Sequence, residues 1–282
     1  MMETLVNYNG ILQAAQVAFL PVDNRGFRYG DGFFETIRCR EGKPLWLDQH
    51  WQRMEHSARV LQMDLPANLD KESLNQSICD LLRFNDHLQG ARVRLSLFRQ
   101  GKGFYRPEEN TCSYLIESSP LDQNLYELNR QGLLVGIYSD VFKPYNKLSG
   151  LKTANALLYV MAARHACSKG WDDGFILNEN TCLAEATSSN IFVVDKGKIF
   201  TPSADQACVE GVMRRVLMQL ACKEGFKVSE CTLTPSDLLE VDEVFLTNTI
   251  RGIQWVKGFG NKRYYNDTAR KLINLLNVHA AE

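Results

Sequence analysis

Four polar features of the sequence could carry chemistry. Lys152 stands near the start of "GLKTANALLYVMAARHAC", whose apolar spacing predicts a long helix that begins at the lysine. A helix N-terminus carries a partial positive charge, so a lysine there needs solvent or a specific partner. Glu185 lies in "LAEATSSNIF", Gly211 opens a predicted helix in "EGVMRR", and Arg53 lies off the apolar stripe of another predicted helix. Each feature alone is typical of a solvated surface, and only their combination indicates a site.

The four features together match the needs of one cofactor. A lysine amine can form a Schiff base with an aldehyde, and a buried carboxylate can keep a pyridine nitrogen protonated. The N–H groups at a helix start such as Gly211 can hold a phosphate, and an arginine fork adds two charge-assisted hydrogen bonds. We therefore expect the chain to bind pyridoxal 5'-phosphate.

The elements that must position these residues form two predicted domains. Residues 1–118 form the first, an α+β unit, and the polar segment 119–130 is the predicted linker. Within the first domain the patterns predict a hairpin at "ETLVNYNG" and "ILQAAQV", two strands around a Glu-Gly turn in "FFETIRCREGKPLWL", and the strands "ARVRLSLF" and "TCSYLIES". A helix capped by Asp48 is expected to run to about Leu61, and a second helix from about Asp70 to Phe84.

The second domain is predicted over residues 131–282. Its expected strands are "GLLVGIY", "DGFIL", "NIFVV", "KIFTP" and "EVFLTN", with helices at Lys152, from about Gly211 to Lys223, and from about Asp267. Strands mix with helices without a regular βαβ cadence, which favours an α+β fold over a doubly wound sheet.

Composition excludes several classes of protein. The 282 residues carry a formal net charge of -1 with no long basic block, so no nucleic-acid partner is expected. No apolar run is long enough for a membrane span and no signal peptide is visible, which makes the cytoplasm the expected location. The five histidines show no metal-binding spacing and the eight cysteines no CxxC pair, so no metal is predicted.

Six ordered motifs resemble those of the fold-type IV pyridoxal-phosphate enzymes, the class IV aminotransferase family, over nearly the whole chain. That family includes branched-chain and D-amino-acid aminotransferases and 4-amino-4-deoxychorismate lyases. The resemblance implies a two-domain α+β enzyme with a small sandwich-like N-terminal domain and a larger pseudo-barrel C-terminal domain. The motifs are "DNRGFRYGDGFFETIR", "LDQHWQRM", "GLKTANALL", "LAEATSSNIF", "EGVMRRVL" and "DEVFLTNTIRGIQWV".

The resemblance also implies roles for individual residues. Lys152 would hold the cofactor covalently and then act as its acid-base group, and Glu185 would pair with the pyridine nitrogen. The phosphate would be bound by Arg53, by the helix start at Gly211 with the amides of Val212 and Met213, and by Thr249. Asn190 matches a family position near the site, although a turn residue would equally explain it.

The motifs favour a lyase within the family. "GDGFFET" with Thr36, "GLKTAN" with Asn155 and "TNTIRG" with Asn248 resemble the aminodeoxychorismate lyases. The Arg-x-His pair of D-amino-acid aminotransferases is missing from "RQGKGFYRP", and Leu157 stands where branched-chain enzymes usually have a tyrosine. Aminotransferases with uncommon carboxylate sites share parts of these motifs and remain the alternative.

On the lyase interpretation, aminodeoxychorismate, a small-molecule amine, yields 4-aminobenzoate and pyruvate for folate synthesis. Thr36 could assist proton delivery near the leaving group. Candidates for binding the substrate are Phe34, Arg38, Arg99, Asn248 and Arg251, although structural salt bridges would explain the arginines equally well.

The resemblance further implies a homodimer, with each site at the domain interface and the "NRGFRYGDG" loop reaching towards the partner's cofactor. A chain that keeps the fold but binds without catalysis is the remaining alternative, and the presence of both Lys152 and Glu185 argues against it.

Overall fold

The computed structural model describes residues 4–17 and 20–280. The helices are α1 (Arg25–Tyr29), α2 (Leu47–Val60), α3 (Lys71–Phe84), α4 (Leu157–Ser168), α5 (Val212–Lys223), α6 (Asp237–Glu240) and α7 (Asp267–His279), and a 3-10 turn covers Ala204–Gln206. The strands are β1 (Leu5–Tyr8), β2 (Ile11–Ala14), β3 (Gly32–Arg40), β4 (Lys43–Pro44), β5 (Gly90–Arg99), β6 (Cys112–Pro120), β7 (Leu133–Lys143), β8 (Asp173–Asn178), β9 (Leu183–Ala186), β10 (Asn190–Asp195), β11 (Lys198–Pro202), β12 (Val228–Cys231), β13 (Glu243–Asn248), β14 (Gly252–Phe259) and β15 (Lys262–Arg263).

The chain divides into two compact units. Unit 1 comprises Met1–Asn124 together with Lys152–Asn155, and unit 2 comprises Leu125–Leu151 and Ala156–Glu282. The predicted division into domains 1–118 and 131–282, joined by a linker at 119–130, stays a prediction. Among the described residues, no helix is long and apolar enough to cross a bilayer.

Unit 1 is an antiparallel sheet in the order β2-β1-β6-β5-β3-β4, with α2 and α3 packed on it. The predicted hairpin is confirmed by the antiparallel pairing of β1 with β2. Asn9 and Gly10 both take positive φ angles, as its tight two-residue turn requires. The Glu41-Gly42 turn between β3 and β4 has the same feature. The core beneath the helices joins side chains from both layers, including Phe33, Ile37, Met54, Ile78 and Leu81.

The two helices of unit 1 begin in different ways. The helix predicted from about Asp70 is α3, and Asp70 caps it by accepting a hydrogen bond from the Ser73 amide at 2.7 Å. The expected cap at Asp48 is wrong, because α2 already begins at Leu47 after Trp46, which takes a left-handed conformation. Asp48 instead lies in the first turn of α2, where its carboxylate interacts favourably with the helix dipole.

Unit 2 is built on a mixed sheet in the order β12-β11-β10-β13-β14-β7-β8-β9, with β15 paired to β14. The five predicted strands correspond to β7, β8, β10, β11 and β13, and the predicted C-terminal helices correspond to α5 and α7. The pairs β7–β8, β7–β14 and β11–β12 are parallel. The sequence patterns missed the short strands β9, β12 and β15 and the longer β14.

Lys152 does not lie in a helix, so the predicted helix start is wrong. α4 begins five residues later at Leu157, and Thr153 instead forms an isolated antiparallel bridge with Phe33 of β3. The Phe34 N–H donates to the Lys152 carbonyl at 3.0 Å, and the Ala154 N–H donates to the Gly32 carbonyl at 2.9 Å. Because β3 satisfies these backbone groups, the chain enters its helix only after Ala156.

Candidate functional site

Lys152 shares one face of the unit 1 sheet with one aromatic and two polar side chains. Its Nζ lies 4.4 Å from the centroid of the Phe34 ring. Thr36 follows Phe34 by two residues along β3, so strand alternation places it on the same face. Arg94 of β5 stands directly opposite Thr36, and its guanidinium carbon lies 3.8 Å from the Phe34 ring centroid. An amine and a guanidinium therefore contact one phenyl ring, and a hydroxyl lies on the same face of the strand.

The backbone of this face is fixed by Asn155. Its Nδ2 donates to the Gly30 carbonyl at 3.1 Å, in the loop just before β3. Gly30 has a φ of +64°, and a Cβ there would stand 2.6 Å from Asn155 Oδ1. The "YGDG" and "GLKTAN" motifs therefore contact each other, which explains why a small residue is needed at position 30.

Arg53 is part of a buried cluster on the other face of β3. Its Nε and Nη2 donate to the two carboxylate oxygens of Glu35 at 2.8 and 2.5 Å, and His50 Nδ1 donates to Glu35 Oε2 at 2.7 Å. The expectation that Arg53 points away from the buried stripe of α2 is wrong, since the side chain is 8% exposed. An arginine can be buried there because Glu35 supplies its counter-charge.

The protonation states of this cluster follow from burial and pairing. Burial by itself opposes ionisation of Glu35, but Arg53 and His50 outweigh it and lower the pKa of this carboxyl from 4.5 to about 2. Burial also lowers the pKa of His50, so its ring is neutral at pH 7, with Nδ1 as the donor. The ionic pair with Glu35 fixes the plane of the Arg53 guanidinium.

Glu185 lies in β9 of unit 2 and is 4% exposed. Lys143 Nζ and Tyr159 Oη both donate to its Oε1, the tyrosine at 2.7 Å. The Val209 N–H donates to Oε2 at 3.0 Å. A carboxylate can accept about four hydrogen bonds, so a pyridine N–H fits as the fourth donor.

Asn190 packs closely against Gly211, the residue that precedes α5. Asn190 Nδ2 donates to the Val209 carbonyl at 2.8 Å, and a Cβ at Gly211 would stand 2.0 Å from Asn190 Oδ1. Only glycine fits at this position. Its lack of a side chain also means that no side-chain hydrogen bond caps α5. The side chains of Val212 and Met213 are buried, which leaves their backbone amides as the groups that could meet a phosphate.

Asn248 orders the turn that carries Thr249 and Arg251. Its Oδ1 accepts from the amides of Ile250 and Arg251 at 3.1 and 2.8 Å, and its Nδ2 donates to Ser189 Oγ at 3.0 Å. The Arg251 side chain is exposed. In unit 2 the "LAEATSSNIF" and "TNTIRG" motifs therefore contact each other through Ser189 and Asn248.

Two of the candidate substrate arginines make structural contacts. Arg99 is 7% exposed, and its donors bind Asp31, Asn110 and the backbone carbonyls of residues 61 and 62. Arg38 is 5% exposed and donates to the Gln123 carbonyl at 2.5 Å. These contacts favour the structural alternative for both arginines.

The structure groups the predicted site residues by unit. Unit 1 holds Lys152 with Phe34 and Thr36 on one face of β3 and Arg53 on the other, and unit 2 holds the Glu185, α5 and Asn248 groups. Sequence analysis missed Arg94, Lys143 and Tyr159. Alternation in "ARVRLSLF" could have placed Arg94 beside Thr36 only if the β3–β5 register had been known.

The chain matches a known family over most of its length. The family described as amino-transferase class IV matches residues 32–259. A protein of Methanocaldococcus jannaschii, provisionally named a branched-chain-amino-acid aminotransferase, is 33% identical over 247 residues, covering 86% of this chain and 83% of that protein. The aminodeoxychorismate lyase of Vibrio harveyi is 28% identical over 239 residues, covering 85% of this chain and 87% of the lyase.

Solved structures show the same fold. The branched-chain aminotransferase of Thermobaculum terrenum, crystallised in its pyridoxal-phosphate form, superposes with a TM-score of 0.87 at 22% identity and covers 99% of this chain and 94% of that one. A Legionella pneumophila protein, provisionally named a 4-amino-4-deoxychorismate lyase, superposes with a TM-score of 0.82 at 26% identity, covering 94% and 96%. The expected two-domain α+β fold of the fold-type IV enzymes is thereby confirmed.

Proposed function

The chain belongs to the class IV aminotransferase family of pyridoxal-phosphate enzymes, and from that premise we propose that it is a lyase converting 4-amino-4-deoxychorismate to 4-aminobenzoate and pyruvate. The observation that carries the choice is the position of Thr36, whose hydroxyl lies on the same face of β3 as Phe34 and the Lys152 amine. Similarity to lyases of 28% and 29% identity supports it.

Each residue has a proposed task in this reaction. Pyridoxal phosphate, when bound, supplies an electron sink for the negative charge left when a proton leaves the carbon that bears the substrate amine. Lys152 holds the cofactor and takes that proton, and Glu185 pairs with the ring nitrogen. Arg53, Thr249 and the amides of Val212 and Met213 bind the phosphate.

The second half of the reaction is the departure of the enolpyruvyl group. The electron pair left by the ring proton forms the aromatic ring as the ether C–O bond breaks, and the enolpyruvate gains a proton to become pyruvate. Thr36 is the proposed donor of that proton, because its hydroxyl lies on the same face of β3 as Phe34. Arg94, on the same face, is the proposed ligand of a substrate carboxylate. It is half-buried, whereas the donors of Arg99 are occupied by Asp31 and Asn110.

The lyase requires no second substrate, and this property provides the test. Aminodeoxychorismate should yield 4-aminobenzoate and pyruvate over many turnovers without any keto acid. Lys152→Ala should abolish the reaction, while Lys147→Ala, at an exposed lysine, should leave it unchanged. Inert aminodeoxychorismate would contradict the proposal.

An aminotransferase acting on branched-chain or D-amino acids with 2-oxoglutarate is the second candidate. The 33% identity to the M. jannaschii protein, higher than that to either lyase, favours it. In that case an amino acid should convert the cofactor to its amine form, and 2-oxoglutarate should restore the aldehyde. The two functions are thus distinguished by absorbance alone.

We also propose a cytoplasmic homodimer. The helix α4 exposes an apolar stripe at i, i+3 and i+4 spacing, with Leu157 78%, Val160 51% and Met161 50% exposed. A second copy of the chain would cover such a stripe. Sedimentation of the active enzyme as a monomer would contradict the dimer.

A further inference from the structure

Lys143 and Glu185 form a buried ion pair that the proposed reaction does not by itself require. Lys143 is the last residue of β7 and is 5% exposed, while Glu185 is 4% exposed. Both strands flank β8, so the two side chains meet across it. Withdrawing two charges from water carries a desolvation cost that their attraction only partly offsets. A buried pair of this kind is therefore weak evidence for a role in stability.

The donors around Glu185 are distributed unevenly between its two oxygens. Oε1 receives both Lys143 and Tyr159, whereas Oε2 receives the Val209 amide at 3.0 Å. Burial and the nearby Glu185 charge strongly raise the pKa of Tyr159, so it stays a phenol and donates. The Lys143 amine also lies 5.5 Å from the Tyr159 ring centroid, which holds the two donors together. These contacts leave Oε2 as the oxygen with room for a further donor.

We propose that Lys143 is a positioning residue that directs Glu185 Oε2 to the ring nitrogen of pyridoxal phosphate and keeps the shared proton on that nitrogen. The inference rests on the proposed role of Glu185. Moving the proton from the ring nitrogen to Glu185 Oε2 leaves the total charge of the ring, Glu185 and Lys143 unchanged. The Lys143 ammonium, however, stabilises the adjacent carboxylate more than it destabilises the more distant pyridinium, because Coulomb energy falls with distance. Lys143 therefore favours the protonated ring, which is the better electron sink.

The experiment measures ring protonation directly. The holoenzyme is reconstituted with pyridoxal phosphate labelled with 15N in the ring, and the 15N chemical shift is recorded for wild type, Lys143→Met, Lys143→Gln and Lys143→Arg. Lys147→Met is the matched control, because Lys147 is an exposed lysine four residues away. We expect the Met and Gln variants to shift towards the unprotonated value, with cofactor Kd raised about tenfold, as the loss of one charge-assisted hydrogen bond predicts. The Arg and Lys147 variants should resemble wild type.

A Glu185→Gln variant separates this inference from the proposed function. If Glu185→Gln changes the 15N shift while Lys143→Met and Lys143→Gln do not, the role of Lys143 is refuted and that of Glu185 stands. If Glu185→Gln leaves the shift and the cofactor Kd unchanged, the proposed role of Glu185 fails, and the inference fails with it. Should Lys143→Met not fold, Lys143→Gln retains a neutral donor and carries the same comparison.

Discussion

Replacing Glu35 by glutamine should destabilise unit 1 in a way that depends on pH. Glu35 is 1% exposed and accepts hydrogen bonds from His50 and, through both oxygens, from Arg53. Although burial opposes its ionisation, these partners lower its pKa from 4.5 to about 2. Glu35→Gln keeps the shape of the side chain but removes the charge that Arg53 pairs with.

The size of the effect follows from the two pKa values. A pKa lowered from 4.5 to about 2 corresponds to about 3 kcal/mol of folding free energy. Because the native pKa is the lower one, this contribution is complete above about pH 4.5 and is lost as the pH falls through about 2. By the same relation, about 1.5 kcal/mol should remain at pH 3. The stability difference between wild type and variant should therefore shrink by about half between pH 7 and pH 3.

Urea unfolding of the two proteins at both pH values measures this difference. Glu55→Gln is the control, since Glu55 is an exposed residue of α2 and its replacement should change stability by less than about 0.5 kcal/mol. Equal stabilities of wild type and Glu35→Gln at pH 7, or a difference that does not shrink at pH 3, would refute the reasoning.

Three further substitutions test the site. Arg53→Lys should weaken cofactor binding although the charge is kept, because an ammonium cannot reproduce the planar fork that Glu35 orients, and an unchanged cofactor Kd would return Arg53 to a structural role. Gly211→Ala should lower both thermal stability and cofactor affinity, since its Cβ would stand 2.0 Å from Asn190 Oδ1, and calorimetry with and without cofactor measures both effects. Asn248→Ala removes two hydrogen bonds to backbone amides and should cost about 1 to 3 kcal/mol in urea unfolding; a loss below about 0.5 kcal/mol would show that the turn is held by other contacts.

Local patterns were sufficient where the structure depends on local chemistry. The hairpin at Asn9-Gly10, the start of α3 near Asp70 and the apolar spacing of α5 and α7 are each decided by residues close in sequence. Gly211 could be predicted as a helix start for the same reason. The contact with Asn190 that makes glycine necessary there joins residues distant in sequence, and it could not be predicted.

Sequence periodicity does not predict the buried charges of this protein. A periodic pattern treats Arg53 as exposed, yet the residue is buried because Glu35, 18 positions earlier, neutralises it. Lys143 and Glu185 pair across 42 positions in the same way. The motif around Glu185 indicated the residue, but no local signal indicated its partner. Only the register of β7, β8 and β9 brings the two together.

Lys152 owes its position to strand alternation, not to a helix start. Along an extended segment, successive side chains point to opposite faces, so Lys152 shares a face with Phe34 while Thr153 lies beside Phe33. A register shift of one residue would turn the amine towards the face that holds Glu35. Pairing with β3 is therefore what selects the neighbours of the amine.

Those neighbours bear on the choice of substrate. The Phe34 ring contacts two cationic groups, the Lys152 amine at 4.4 Å and the Arg94 guanidinium at 3.8 Å. A substrate with two carboxylates, such as aminodeoxychorismate, would still offer one anionic group to Arg94 after its amine region is aligned with Lys152. A branched-chain amino acid has only one carboxylate. If that carboxylate is bound elsewhere, its apolar side chain would face the charged guanidinium of Arg94, which is unfavourable. On this face of β3, Arg94 thus favours a dicarboxylate, either aminodeoxychorismate or the 2-oxoglutarate of the aminotransferase alternative.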